Sequence, residues 1–168
     1  MPAFKVEVGQ AISRLANEVD LLSKRIDDKR VKLKAYPPAT AQEIKRYEDY
    51  LEMSLPDSYR TFLEIHNGYD WLVYPGHMLS ISAVMPGGSW CKKIRDWKKM
   101  SADYGSGEVL DGIVIANLGQ PNNWAFLDPN THTAKGEFAI VRWLSGDSSV
   151  YQTLVDFLSA RARFCKNY

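Results

Sequence analysis

Residues 37–71, "PPATAQEIKRYEDYLEMSLPDSYRTFLEIHNGYDW", decide how this chain folds, because they contain two helix starts and one helix stop. Thr40 followed by Glu43 is a capping box, in which each side chain reaches the other's backbone N–H. The helix it opens turns Ile44, Tyr47 and Leu51 inward. It also places Glu48 on that face, where a carboxylate must find hydrogen-bond donors. Ser54 with Asp57 repeats the capping pattern, and Pro56 suits a first turn, where its missing N–H has no partner to lose. The second helix presents Tyr59, Phe62, Leu63 and His66 on one face. Asn67 and Gly68 then supply the left-handed geometry that ends it.

Upstream, residues 1–34 read as one amphipathic helix, with Val8, Ile12, Leu15, Val19, Leu22 and Ile26 recurring at steps of four and three. Such a stripe packs on the chain's own core or pairs with a second copy. The run is under four heptads, so self-packing is the expectation and a homodimer through this helix the alternative. "AYPPAT" breaks the helix, leaving residues 36–168 as the main domain. Downstream, "HMLSISAVM" alternates like a strand, and "SWCKKIRDWKKM" returns to helical spacing through Trp90, Ile94 and Trp97. "IVIANL", "NWAFLD" and "EFAIVRW" read as short strands separated by turns, which favours antiparallel pairing. A closing helix is expected to open at Ser149, with Gln152 completing a capping box. The class is α+β: a mainly antiparallel sheet flanked by helices, with an extra helix at the amino terminus.

Composition narrows the function. The chain of 168 residues carries a net charge of +1, which argues against wholesale nucleic-acid binding. No apolar run approaches the roughly 18 residues of a membrane span. "MPAFKVEVGQ" lacks the order of a signal peptide, and Cys91 and Cys165 stand in no metal or redox spacing, so a cytoplasmic protein with reduced thiols is expected.

Catalytic constellations do not assemble. His66 and Asp70 are four apart, but Gly68 between them ends the helix that would bring them together. His77 and His132 have no ligand at metal spacing. "GGSWC" and "GSG" fit neither a nucleophile elbow nor a phosphate loop. No enzyme, cofactor or metal is expected. Lys92, Lys93, Lys98 and Lys99 keep phosphate binding as a lesser reading, with Trp90 and Trp97 directed inward.

The stretch from residue 37 to 71 also resembles the SUKH superfamily, known from bacterial immunity proteins against polymorphic toxins and from a fungal regulator of cell-wall synthesis. The resemblance rests on Pro38, Ala39, Thr40, Ile44, Glu48, Leu51, Leu55, Pro56, Tyr59, Phe62, Leu63, Asn67 and Gly68. "DGIVIANLGQPNNWAFLDPN", "EFAIVRW" and "LVDFL" continue it, over roughly residues 36 to 160. It implies an α+β fold, no catalysis, and binding of a cognate toxin, often a nuclease; a regulatory scaffold is the alternative. Glu48, Pro56, Tyr59, Phe62, Asn67 and Gly68 then read as structural motif residues rather than contacts.

Residues 101–130 hold Asp103, Glu108, Asp111 and Asp128 without any Lys or Arg, while aromatic residues gather near the turns. An acidic, aromatic surface suits a basic protein partner. Asp70, Trp71, Tyr74, Glu108, Asp111 and Asn122 are the residues expected to meet it.

Overall fold

Among the described residues, seven strands pair in sequence order, every neighbour antiparallel, into one meandering sheet. This computed structural model describes residues 2–103, 107–134, 136–144 and 147–168, and the side chains of Pro2, Ala3 and Glu108 lie outside the description. The helices are α1 (Pro2–Arg25), α2 (Ala41–Leu51), α3 (Asp57–Ile65), α4 (Ile81–Val84), α5 (Cys91–Asp103) and α6 (Leu154–Asn167). The strands are β1 (Lys34–Ala35), β2 (Tyr69–Val73), β3 (Gly76–Met78), β4 (Ile113–Asn117), β5 (Asn123–His132), β6 (Phe138–Leu144) and β7 (Asp147–Tyr151). The class is α+β, with a helix at the amino terminus.

Two hydrophobic clusters explain the layering. Val8, Ile12, Leu15, Val19 and Leu22 of α1 join Tyr59, Phe62 and Leu63 of α3 and Phe157 and Leu158 of α6 against Ile113, Ile115, Leu127 and Ile140 of the sheet. The α1 stripe is therefore covered by the chain's own core. Burying each such aliphatic side chain stabilises by about 1.5–3 kcal/mol. Five together rival the roughly 5–15 kcal/mol of net stability typical of a domain, so α1 is integral to the packing. On the opposite face, Trp97 of α5 packs with Val114, Trp124, Phe126 and Trp143. Strand β4 is buried throughout because helices cover both its faces.

Several boundaries differ from expectation, each for a local reason. α1 stops at Arg25 rather than running to 34, since Asp27 is left-handed at φ 51°. Just beyond, the Asp28 carboxylate accepts from the Arg30 backbone N–H at 3.1 Å and its guanidinium at 2.8 Å, a turn that competes with helix. In "HMLSISAVM" only His77 and Met78 are strand; the Ser80 hydroxyl accepts from the Ala83 N–H and opens α4 instead. Ser149 lies in β7, and the cap of α6 is Thr153, which accepts from the Asp156 N–H at 3.1 Å. Val150 and Tyr151 suit a strand better than a first helical turn.

The start of α3 is held by acids from elsewhere, not by the Ser54–Asp57 pattern. Its N-cap is Pro56, which offers no side-chain cap. Glu48, 9% exposed, reaches over from α2 to accept from the Leu55 N–H at 2.8 Å and from the Arg60 guanidinium. The expected buried and satisfied Glu48 is thus observed. Glu137, 3% exposed, comes from just before β6 and accepts from the Ser58 N–H at 3.2 Å and the Ser58 hydroxyl. A helix N-terminus favours such charges, because its first N–H groups lack intrahelical partners. At the other end, Gly68 has φ +97°, and a Cβ there would stand 2.8 Å from the Ser80 nitrogen. Only glycine fits.

Removing either acid strands a buried donor, which costs about 1–3 kcal/mol per group, more where charge is involved. Glu48→Ala and Glu137→Ala should each destabilise the chain by about 2–4 kcal/mol in denaturant titration, whereas Glu64→Ala, exposed on α3, should change stability by less than about 0.5 kcal/mol.

Candidate functional site

The end of α3 determines what stands beside β2. The Asn67 side-chain oxygen accepts from the Ile81 N–H at 2.9 Å, and the Asn67 N–H donates to the Pro37 carbonyl at 3.0 Å. His66, half-buried, has Nδ1 3.3 Å from the Tyr36 carbonyl and meets Tyr69 edge-on at 5.3 Å. It packs at a helix end, as expected. The corner ties three segments together and launches the β2–β3 hairpin.

That hairpin assembles a polar cluster. Tyr69 pairs with Met78, so the next residues inward, Asp70 and His77, meet across the strands. Asp70 Oδ1 lies 3.1 Å from His77 Nδ1, and Asp70 Oδ2 accepts from the Tyr36 hydroxyl at 2.8 Å. The Tyr36 phenol is held above its ordinary pKa, first by this hydrogen bond to Asp70, then by burial and by the carboxylate's charge. Trp71 follows at φ 65°, in a register shift of the hairpin, and its N–H points at His77 Nδ1 from 3.3 Å. A left-handed tryptophan costs about 1–3 kcal/mol, which the surrounding contacts must offset. His77 Nδ1 cannot accept from Trp71 while donating to Asp70, so its protonation state selects one of the two bonds.

Two cavities adjoin at Trp90. The first, about 500 Å³, is a slot walled by Trp90, Trp97, Trp124 and Met100, with Lys93 and Asp96 from α5 and Asn122 from the β4–β5 turn among its lining residues. Trp90 meets Trp124 edge-on at 5.7 Å, and Lys93 Nζ lies 4.5 Å from the Trp90 ring centre. The second, about 330 Å³, contains Tyr36, Asp70 and His77 with the hydroxyls of Ser80, Ser82 and Ser89. Trp90 lines both, and its ring is 6.4 Å from that of His77.

The structure thus brings Asp70 and Asn122 to two parts of one surface, with Trp71 against the His77 ring at 5.3 Å. Tyr74 is not there: it is buried, its hydroxyl donates to Asp28 at 3.3 Å, and its carbonyl accepts from Arg161. Asp111 is exposed and accepts from Asn130 at 3.2 Å, away from both cavities. The Glu108 side chain lies outside the described residues. Of the lysines considered for phosphate, Lys98 is committed to the Leu110 carbonyl at 2.8 Å, and burial pushes its ammonium pKa down. Trp97 is buried as expected.

His77 and Trp90 were not legible as partners of Asp70. The hairpin turns at Tyr74–Pro75 with Val73 opposite Gly76, so regular pairing would set His77 opposite Leu72; only the register shift that includes Trp71 brings it to Asp70, and no spacing rule shows that. Among the described residues no cluster of three metal-ligating side chains occurs, and no helix is long and apolar enough to cross a membrane.

Replacing Asp70 by Asn keeps the shape but removes the charge, so it tests the cluster. Since the carboxylate is what raises the Tyr36 phenol, Asp70→Asn should move the Tyr36 titration down toward the ordinary tyrosine value in tyrosine-ring NMR. An unchanged titration would show that burial alone sets it.

Comparison with known families agrees with the fold. No curated protein matches the chain. A family model does, over residues 38–160, from the strand–helix junction before α2 to the middle of α6. That span takes in the acid-held α3, the Asn67–Gly68 corner, the hairpin and, Tyr36 apart, the lining of both cavities, and the chain accordingly belongs to the SMI1 / KNR4 family (SUKH-1).

Proposed function

We propose that this protein is an immunity protein: it binds a cognate polymorphic toxin, such as a nuclease acting in the cytoplasm, and neutralises it by covering its working surface. Family membership supports this reading most directly. The candidate site is consistent with binding rather than turnover. The larger of its two cavities is walled by tryptophans, which are among the side chains that contribute most at protein interfaces. The Asp70–His77 pair gives that surface a polar edge with defined hydrogen-bond directions. No catalytic role is assigned to it. The reading places the protein in the cytoplasm, where such toxins act.

Occlusion needs fast encounter and slow release. Charges around the two cavities, among them the exposed Lys93 and Asp96 and the half-buried Asp70, set the approach, and burial of the tryptophan wall limits escape. A regulatory scaffold of the same family, working without a toxin, is the second reading. A homodimer would have to use a surface other than the α1 stripe, which the core already covers.

Co-expression separates these readings. The toxin encoded beside the gene should arrest growth when expressed alone, and the present chain should restore it. Arrest that persists despite soluble chain would contradict neutralisation and leave the scaffold reading.

A further inference from the structure

The paired cavities differ in chemistry, and the difference defines what fits them. The tryptophan slot offers Trp90, Trp97, Trp124, Met100 and Pro121, a place for an aromatic or aliphatic side chain. The neighbouring cavity contains Asp70 and three serine hydroxyls but neither Lys nor Arg. The Tyr36 hydroxyl already donates to Asp70, so what it offers an occupant is lone pairs. This cavity is rich in acceptors and, while His77 is neutral, carries net negative charge. A cation of the chain itself, Lys34, sits over the Tyr36 ring at 4.8 Å and makes no ion pair with Asp70 among the described residues.

We propose that the two cavities together take one extended segment of a protein partner, with an apolar anchor in the slot and an Arg or Lys on Asp70. The contacts His77–Trp90 at 6.4 Å and Trp90–Trp124 at 5.7 Å keep the rings of His77 and Trp124, one in the wall of each cavity, within about 12 Å of each other, roughly three to four residues of extended chain. The occupant's cation therefore stands about three residues from its anchor. Asp70 is prepared for it: the Tyr36 hydroxyl donates to one carboxylate oxygen, and His77, when its Nδ1 carries the proton, donates to the other. This rests on the partner-binding reading above and adds the recognition chemistry.

Short blocked peptides probe it on the full chain. Phe-Ser-Ser-Arg, Phe-Ser-Ser-Glu and Gly-Ser-Ser-Arg would be titrated while the indole N–H signals of Trp90, Trp97 and Trp124 are followed by NMR. The first peptide should shift these signals and bind at least about tenfold more tightly than either of the others, a ratio of about 1.4 kcal/mol. Asp70→Asn should abolish the preference for Arg over Glu, and Met100→Glu, at an exposed position of the slot, should weaken the first peptide about tenfold. Equal binding of the Arg and Glu peptides, or no shift of the groove indoles by any of them, would overturn the proposal. The growth assay keeps this separate from the functional reading. If wild type and Asp70→Asn rescue equally, neutralisation stands and this recognition chemistry falls.

Discussion

The buried acids at the start of α3 are the constraint on which the remaining architecture depends. Glu48 and Glu137 come from opposite sides in sequence and accept from the backbone on either side of the Pro56 cap, at Leu55 just before it and at Ser58 in the first turn. Buried carboxylates are tolerated only where donors replace water, and the unpaired N–H groups at a helix start are such donors. Glu137 lies 79 residues from Ser58, so its bond also fixes where the β5–β6 connection passes α3. With that end held, the other end of α3 can act as a corner. Asn67 and Gly68 send the chain into β2 in one direction only, and Asp70 arrives facing His77.

The same rigidity gives the hairpin its chemistry. Gly76 packs so closely on β4 that a Cβ would meet the Asn117 carbonyl oxygen at 1.9 Å. Strand β3 is thereby pressed against the centre of the sheet, and the strained Trp71 is carried by a frame that cannot relax around it. The tryptophan slot sits on the neighbouring part of that frame, where α5 crosses the β4–β5 turn. A loop-borne site would need to order its side chains on binding; here the wall side chains already pack on one another.

How far the sequence revealed this follows from the range of each interaction. Capping box, helix faces and the glycine stop are local, and they were legible from Thr40, Glu43, Tyr59, Phe62 and Gly68. Strands β4, β5 and β6 were legible from their apolar runs and turns. Glu48 was legible as a buried acid because helical spacing put it among apolar residues, but its donors were not named by spacing. Glu137 could not be read at all, since its partner Ser58 is distant in sequence. The candidate site was half legible: Asp70, Trp71 and Asn122 were selected and the structure places Asp70 and Asn122 beside the two cavities, whereas Trp90 and His77 join them only through tertiary packing. Tyr74 was selected as well, but an aromatic residue beside a turn can equally be buried, and here it is, with its carbonyl joining the hairpin to Arg161 of α6.

The central functional claim is that a partner covers the face shared by α5, the β4–β5 turn and the β2–β3 hairpin. Amide hydrogen exchange on the intact chain, with and without the toxin domain encoded beside it, reads that face directly. Slowed exchange should appear in residues 69–78, 90–100 and 119–124, while the core-facing turns of α1 and α6 keep their rates. Protection confined to α1 and α6, or identical exchange with and without the toxin, would contradict the account.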